Sequence, residues 1–82
     1  MSNQSNPPPY IIRCIRKSRK HESFNQEDIQ FLNWMTEVEN NVYDKLKILL
    51  DELPDEPYRS SFEDGMMAQD MARIVVRNAF IL

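Results

Sequence analysis

The chain has 82 residues, of which 41% are hydrophobic and 28% are charged, with a net charge of −3; this composition is typical of one small soluble domain. One cysteine excludes an internal disulfide, and one cysteine with one histidine argues against a structural zinc site. One glycine excludes a glycine-rich phosphate-binding loop, and no apolar run reaches the ~20 residues that a membrane-spanning helix needs. Neither a cofactor nor a metal is expected. Without a signal-peptide pattern, a cytoplasmic protein is expected.

The N-terminal segment is predicted to be a flexible arm over residues 1–22, Pro-rich at first and basic afterwards. Residues 1–23 carry five basic residues and one acidic residue, whereas residues 24–82 carry five basic and twelve acidic residues, a net charge of −7. Residues 1–9 are predicted to be disordered, because this polar, Pro-rich stretch buries too little apolar surface to offset its ordering entropy. Residues 10–20 are expected to be mostly irregular with some helical tendency.

Two short features of the arm have both a functional and a plain interpretation. The run Pro7-Pro8-Pro9-Tyr10 matches the Pro-Pro-x-Tyr pattern of WW-domain ligands, which dock as a preformed polyproline II turn, but so short a match in a biased stretch is weak. The basic neighbours of Cys14 favour its thiolate. The plain interpretation, an incidental small apolar residue, is preferred because no resolving cysteine is present.

The basic run of the arm is the candidate nucleic-acid-binding segment. Its members are Arg13, Arg16, Lys17, Arg19 and Lys20. These cations could neutralise several phosphates, with a steep dependence on salt. Few aromatic residues flank the run, and the acidic body would repel a polyanion. Alternatively, the arm folds back on the acidic body of its own chain or of another copy.

A long amphipathic helix is predicted next, over about residues 26–53. Ser23 and Gln26 have the spacing of a capping box, and Pro54 is expected to end the helix. Apolar residues recur every three or four positions, as on one helix face, at Phe31, Met35, Val38, Val42, Leu46, Leu49 and Leu53. Such a helix has about 28 residues and is ~42 Å long.

Two further helices are predicted. Asp55 caps a short second helix, and Gly65 lies where a left-handed residue would end it. A third helix is expected over about residues 67–78, with Arg73 and Arg77 facing outward. The chain then closes on the apolar residues 79–82, which should not remain in water.

Paired acidic residues are candidates for catalysis, but the sequence favours a plainer role for them. They occur at Asp51-Glu52, Asp55-Glu56 and Glu63-Asp64, all near predicted turns and helix starts. General acid–base catalysis needs carboxylates in a concave site that shifts their pKa. Acidic residues at turns are more typical of solvated caps, so no enzymatic activity is predicted.

The predicted fold is therefore all-α: a long, a short and a third helix in an acidic domain over residues 23–82, preceded by the arm. The long helix outreaches the others, so its apolar stripe should stay partly exposed unless a partner covers it. The predicted partner-binding residues are Phe31, Trp34, Met35, Val38, Val42, Leu46 and Phe80. The expected function is a small non-enzymatic protein-interaction module (an adaptor, inhibitor or assembly subunit) that forms a dimer or a hetero-complex. The alternative is a nucleic-acid-binding accessory protein that acts through the basic arm.

Overall fold

The structure, a computed structural model, describes residues 9–17 and 24–81. Within them lie four α-helices: α1 (Tyr10–Lys17), α2 (Gln26–Leu46), α3 (Tyr58–Glu63) and α4 (Ala68–Ile81), with a 3₁₀ turn at Leu50–Glu52. These ranges hold no β-strand, so the predicted all-α class is confirmed. No helix in them is both long and apolar enough to cross a bilayer.

The start of α2 is defined by a capping box two residues later than predicted. The Asp28 backbone N–H donates to the Asn25 side-chain oxygen at 2.8 Å, and the Asn25 N–H donates to the Asp28 carboxylate at 3.3 Å. This reciprocal pair satisfies backbone donors that a helix N-terminus leaves free. The predicted cap, Ser23, lies outside the described residues.

The end of α2 corrects the predicted helix over residues 26–53. The helix stops at Leu46, because Lys47 adopts the left-handed conformation (φ 57°) and its N–H donates to the Tyr43 carbonyl at 2.8 Å. The chain then turns back, and Leu50 enters the core. Pro54 lies eight residues beyond Leu46, so it does not end the helix.

Part of the predicted flexible arm is a helix. The Arg13 N–H donates to the Pro9 carbonyl at 3.0 Å at the start of α1. Arg16 and Lys17 in the last turn interact favourably with the negative end of the helix dipole. Because α1 also packs against α2, the prediction of mostly irregular structure is wrong for residues 10–17, whereas the helical tendency predicted for them is confirmed.

Other predictions for the arm fall outside the described residues. They are the disorder predicted for residues 1–9, of which only Pro9 is described, the domain boundary between residues 22 and 23, and the roles of Arg19 and Lys20.

The core lies between α2 and α4, with one residue from the 3₁₀ turn. Its buried members are Met35, Val38, Val42, Leu50, Ala68, Met71, Ala72 and Val75. On α2 and α4 these residues are three or four positions apart, the spacing of one helix face. The apolar stripe of α2 is thus covered within the same chain.

The connection between α3 and α4 has the predicted glycine turn. Gly65 has φ +87°, a conformation that costs glycine little because it lacks a Cβ. Its N–H donates to the Phe62 carbonyl at 3.0 Å, and the Met66 N–H donates to Ser61 at 3.0 Å. These bonds satisfy the last carbonyls of α3 and let α4 start beside the middle of α2.

Candidate protein-binding surface

The outer face of α4 presents an apolar and basic row of side chains to solvent. Arg73, Arg77 and Phe80 are spaced four and three residues apart, so they lie on one helix face. All three are exposed, and Phe80 is 74% exposed, which is unusual for a large aromatic side chain. We call these three residues the α4 face.

The charge of the α4 face is opposite to that of the chain as a whole. Arg73 is paired only loosely, with its Nη1 3.4 Å from the Asp70 carboxylate, and both side chains are largely in water. Such an exposed pair contributes under ~1 kcal/mol. The α4 face is therefore a basic patch with an aromatic residue at one end.

Three predicted partner-binding residues belong to the core instead. Met35, Val38 and Val42 are buried against α4, and neither valine has any exposed surface. A partner cannot reach these side chains while the fold is intact. Their assignment to a partner surface is corrected: the periodic stripe marks the buried face of α2, and α4 covers it.

Three other predicted partner-binding residues are half-buried and support the core. Leu46 packs against the buried cluster. The rings of Phe31 and Trp34 are 5.2 and 5.5 Å from the Phe62 ring in edge-to-face contacts, and Trp34 Nε1 donates to the Met66 carbonyl at 2.8 Å. Aromatic pairs in this geometry stabilise packing, so these rings primarily hold α3 on α2. Of the predicted partner-binding residues, Phe80 is the one that is largely exposed.

A buried ion pair joins α1 to α2. The two terminal nitrogens of Arg13 donate to the two carboxylate oxygens of Glu39, at 2.8 and 2.6 Å. Glu39 is 4% exposed and also accepts the backbone N–H of Leu50 at 3.0 Å. Asp51 lies at the rim, 3.4 Å from Arg13. The hydrogen bonds to Glu39 raise the pKa of Arg13 above its ordinary value. Burial of the guanidinium acts in the opposite direction and lowers the pKa, but its effect is smaller.

Tyr10 is the aromatic anchor of α1. It packs against the core cluster, and the Arg13 guanidinium lies 5.4 Å from its ring centre. Burial, followed by the neighbouring Cys14, raises the pKa of Tyr10. Tyr10 is thus engaged in packing on its own chain, whereas Pro7 and Pro8 of the Pro-Pro-x-Tyr run lie outside the described residues.

The nucleic-acid candidates are divided by the docking of α1. Arg13 is engaged with Glu39 and Asp51, which removes it from the set available to phosphates. Arg16 and Lys17 are exposed. Ile12 and Ile15 share the outer side of α1 with Arg16, and they are 37% and 42% exposed.

The remaining surface features combine polar side chains with an exposed methionine, Met67, which is 59% exposed. An open groove of about 310 Å³ is lined by Glu37, Asn40, Asn41, Met67, Ala68 and Gln69. Asp51, Glu52, Asp55, Glu63 and Asp64 are exposed on turns and at the end of α3. Across residues 9–17 and 24–81, no three His, Cys, Asp or Glu side chains form a group that could hold a metal ion.

Sequence reasoning identified Phe80 and the outward direction of two arginines but did not join them into a site. The signal was present in the spacing of Arg73, Arg77 and Phe80. The sequence alone groups Phe80 with the apolar residues 79–82, and only the exposure of its side chain joins it to the two arginines.

No protein-family model, curated protein or solved structure matches this chain.

Proposed function

We propose that the protein is a small non-enzymatic protein-interaction module, an adaptor, inhibitor or assembly subunit, that contacts its partner through the α4 face. The observation that carries the proposal is the 74% exposure of Phe80 on the same helix face as Arg73 and Arg77. A cytoplasmic location is part of the proposal, because the one cysteine, Cys14, is free.

The chemistry of the α4 face favours a protein partner. Aromatic and arginine side chains supply much of the binding energy at protein interfaces. Burying an exposed phenylalanine in a partner's pocket is worth about 1.5–3 kcal/mol, which the monomer forgoes at Phe80. We propose that the partner buries the Phe80 side chain and so gains this free energy.

The partner is proposed to be acidic where it meets the two arginines. Arg77 is exposed. The Asp70 carboxylate beside Arg73 is itself 46% exposed, so a carboxylate of the partner can take its place in the pair with Arg73. Guanidinium groups form paired hydrogen bonds with carboxylates. An apolar pocket flanked by Asp or Glu side chains therefore fits the α4 face.

Site-specific photo-crosslinking tests the proposal. A benzophenone amino acid replaces Phe80 and keeps an aromatic group there, whereas a matched chain carries it at Asn33, which is exposed on α2. In extracts of the native cells, we expect a discrete protein adduct at position 80 and not at position 33. Adding Arg73→Glu and Arg77→Glu should remove that adduct, because the charges then repel an acidic partner. No adduct at position 80, or an adduct unchanged by charge reversal, contradicts the proposal.

The exposure of Arg16 and Lys17 supports a second candidate, nucleic-acid binding through α1. Each lost phosphate contact should lower the slope of log affinity against log salt by about 0.7 to 0.9. We expect only weak oligonucleotide binding, absent at physiological salt, because acidic side chains lie within reach of the same polyanion. Submicromolar binding at physiological salt that Arg16→Gln with Lys17→Gln abolishes would rank this candidate first.

A further inference from the structure

We propose that the face of α2 beneath α1 is a helix-binding groove, which accepts from another protein a helix with an aromatic residue and an arginine in the spacing Tyr-x-x-Arg. In this structure α1 is its occupant, through Tyr10 and Arg13. The inference is independent of the α4 face, because it uses none of the residues of that face.

The floor of the groove is selective for arginine. Glu39 is 4% exposed, and both of its carboxylate oxygens accept hydrogen bonds from the Arg13 guanidinium. A buried carboxylate needs a paired cation to remain charged. A planar guanidinium donates two parallel hydrogen bonds, which the ammonium of lysine cannot reproduce. Asp51 at the rim adds a second negative charge 3.4 Å from the same guanidinium.

The groove also recognises the first turn of a helix. The Ile11 backbone N–H, one of the donors that a helix N-terminus leaves free, donates to Thr36 Oγ1 at 3.0 Å. The neighbouring Tyr10 ring packs on the core cluster. The first turn of α1 thus meets three separate features: Tyr10 contacts the core cluster, the Ile11 N–H reaches Thr36, and Arg13 pairs with Glu39.

The occupant is separable from the body of the fold. No residue of α1 is fully buried, and the buried cluster comes from α2, the 3₁₀ turn and α4. A helix of eight residues is not stable alone in water, so α1 depends on the groove for its helical state. A tethered occupant has an effective concentration of about 1 mM, so a competing helix gains access when α1 is weakened or when the competitor binds more tightly.

The test uses the full chain with Arg13→Gln, so that the tethered occupant lacks its guanidinium. The probe is a fluorescent peptide of residues 9–17 with Cys14→Ser, and the matched control peptide carries Arg13→Gln in addition. Measured by anisotropy, the arginine peptide should bind at least about tenfold more tightly than the control, the difference expected for a charge-assisted pair. Adding Glu39→Gln to the chain should remove this preference.

A second variant of the full chain provides the test if the Arg13→Gln variant does not fold. Tyr10→Ala weakens the tethered helix but leaves Arg13 and Glu39 in place, and its helicity is checked by circular dichroism. The arginine peptide should again be preferred. Equal binding of the two peptides by a folded chain, or no binding by either chain up to about 1 mM, overturns the proposal.

Discussion

Arg13 and Glu39, 26 residues apart in the sequence, face each other through two hydrogen bonds of 2.8 and 2.6 Å. Glu39 belongs to the middle of α2, and its second role is to accept the Leu50 N–H after the chain has turned. One buried carboxylate therefore holds both the helix before α2 and the turn after it.

Replacing Arg13 by alanine should lower the free energy of unfolding by about 3 kcal/mol, because the Glu39 charge would remain buried without its partner. Urea denaturation followed by circular dichroism measures the change. Arg16→Ala is the matched control, since Arg16 is exposed on the same helix, and it should alter stability by less than about 0.5 kcal/mol. Equal effects of the two substitutions would show that the ion pair does not stabilise the fold.

Glutamate substitutions at Val42 and Phe80 should have opposite outcomes. Val42 has no exposed surface, so Val42→Glu places a charge in the core and should unfold the chain. Phe80 is mostly in water, so Phe80→Glu should leave helicity and the midpoint of thermal unfolding nearly unchanged. Circular dichroism measures the helicity of both variants. A folded Val42→Glu monomer would contradict the burial of Val42 in the core.

Glycine at position 47 should stabilise the end of α2. Lys47 has φ 57°, a conformation that costs a residue with a Cβ about 1 kcal/mol relative to glycine. Lys47→Gly is best compared with Lys47→Ala, because both lose the lysine side chain, which lies over Tyr43. The glycine variant should be more stable than the alanine variant by about 1 kcal/mol. The reverse order would indicate that α2 continues past residue 46.

Removing the hydroxyl of Tyr58 should not destabilise the fold. This hydroxyl is buried and has no hydrogen-bond partner among the described residues, so Tyr58→Phe removes a polar group whose burial is unfavourable. Thermal unfolding should occur at the same or a slightly higher temperature. A loss above about 1 kcal/mol would reveal a hydrogen bond that the structure does not contain.

The same tyrosine makes stability depend on alkaline pH. Burial, then the charges of Glu56, Asp55 and Glu39, raises the pKa of Tyr58 to about 12. The folded state therefore disfavours the phenolate. This contribution is fully present below about pH 10, the ordinary tyrosine pKa, and declines as the pH rises toward 12. Ultraviolet titration should show a late-titrating phenolate that disappears in Tyr58→Phe; an unchanged titration curve would contradict this.

The local pattern of residues was sufficient for the helical class and for several details. Apolar residues three or four positions apart predicted the buried face of α2, because a helix turns once in about 3.6 residues. Gly65 predicted the left-handed end of α3, since a residue without a Cβ has the least strain there. The outward direction of Arg73 and Arg77 follows from the same periodicity.

Only the tertiary structure decided where α2 ends, what covers its stripe and which side chains remain accessible. Leu50 leaves the helical path because its N–H reaches Glu39 and its side chain enters the core, and neither contact can be read from neighbours in the sequence. Periodicity shows which face is buried but not which element buries it, so the sequence alone does not tell that α4, and not a partner, covers Met35, Val38 and Val42. The docking of α1 depends on Arg13 meeting Glu39 across 26 residues, a pairing that exists only once the chain has folded.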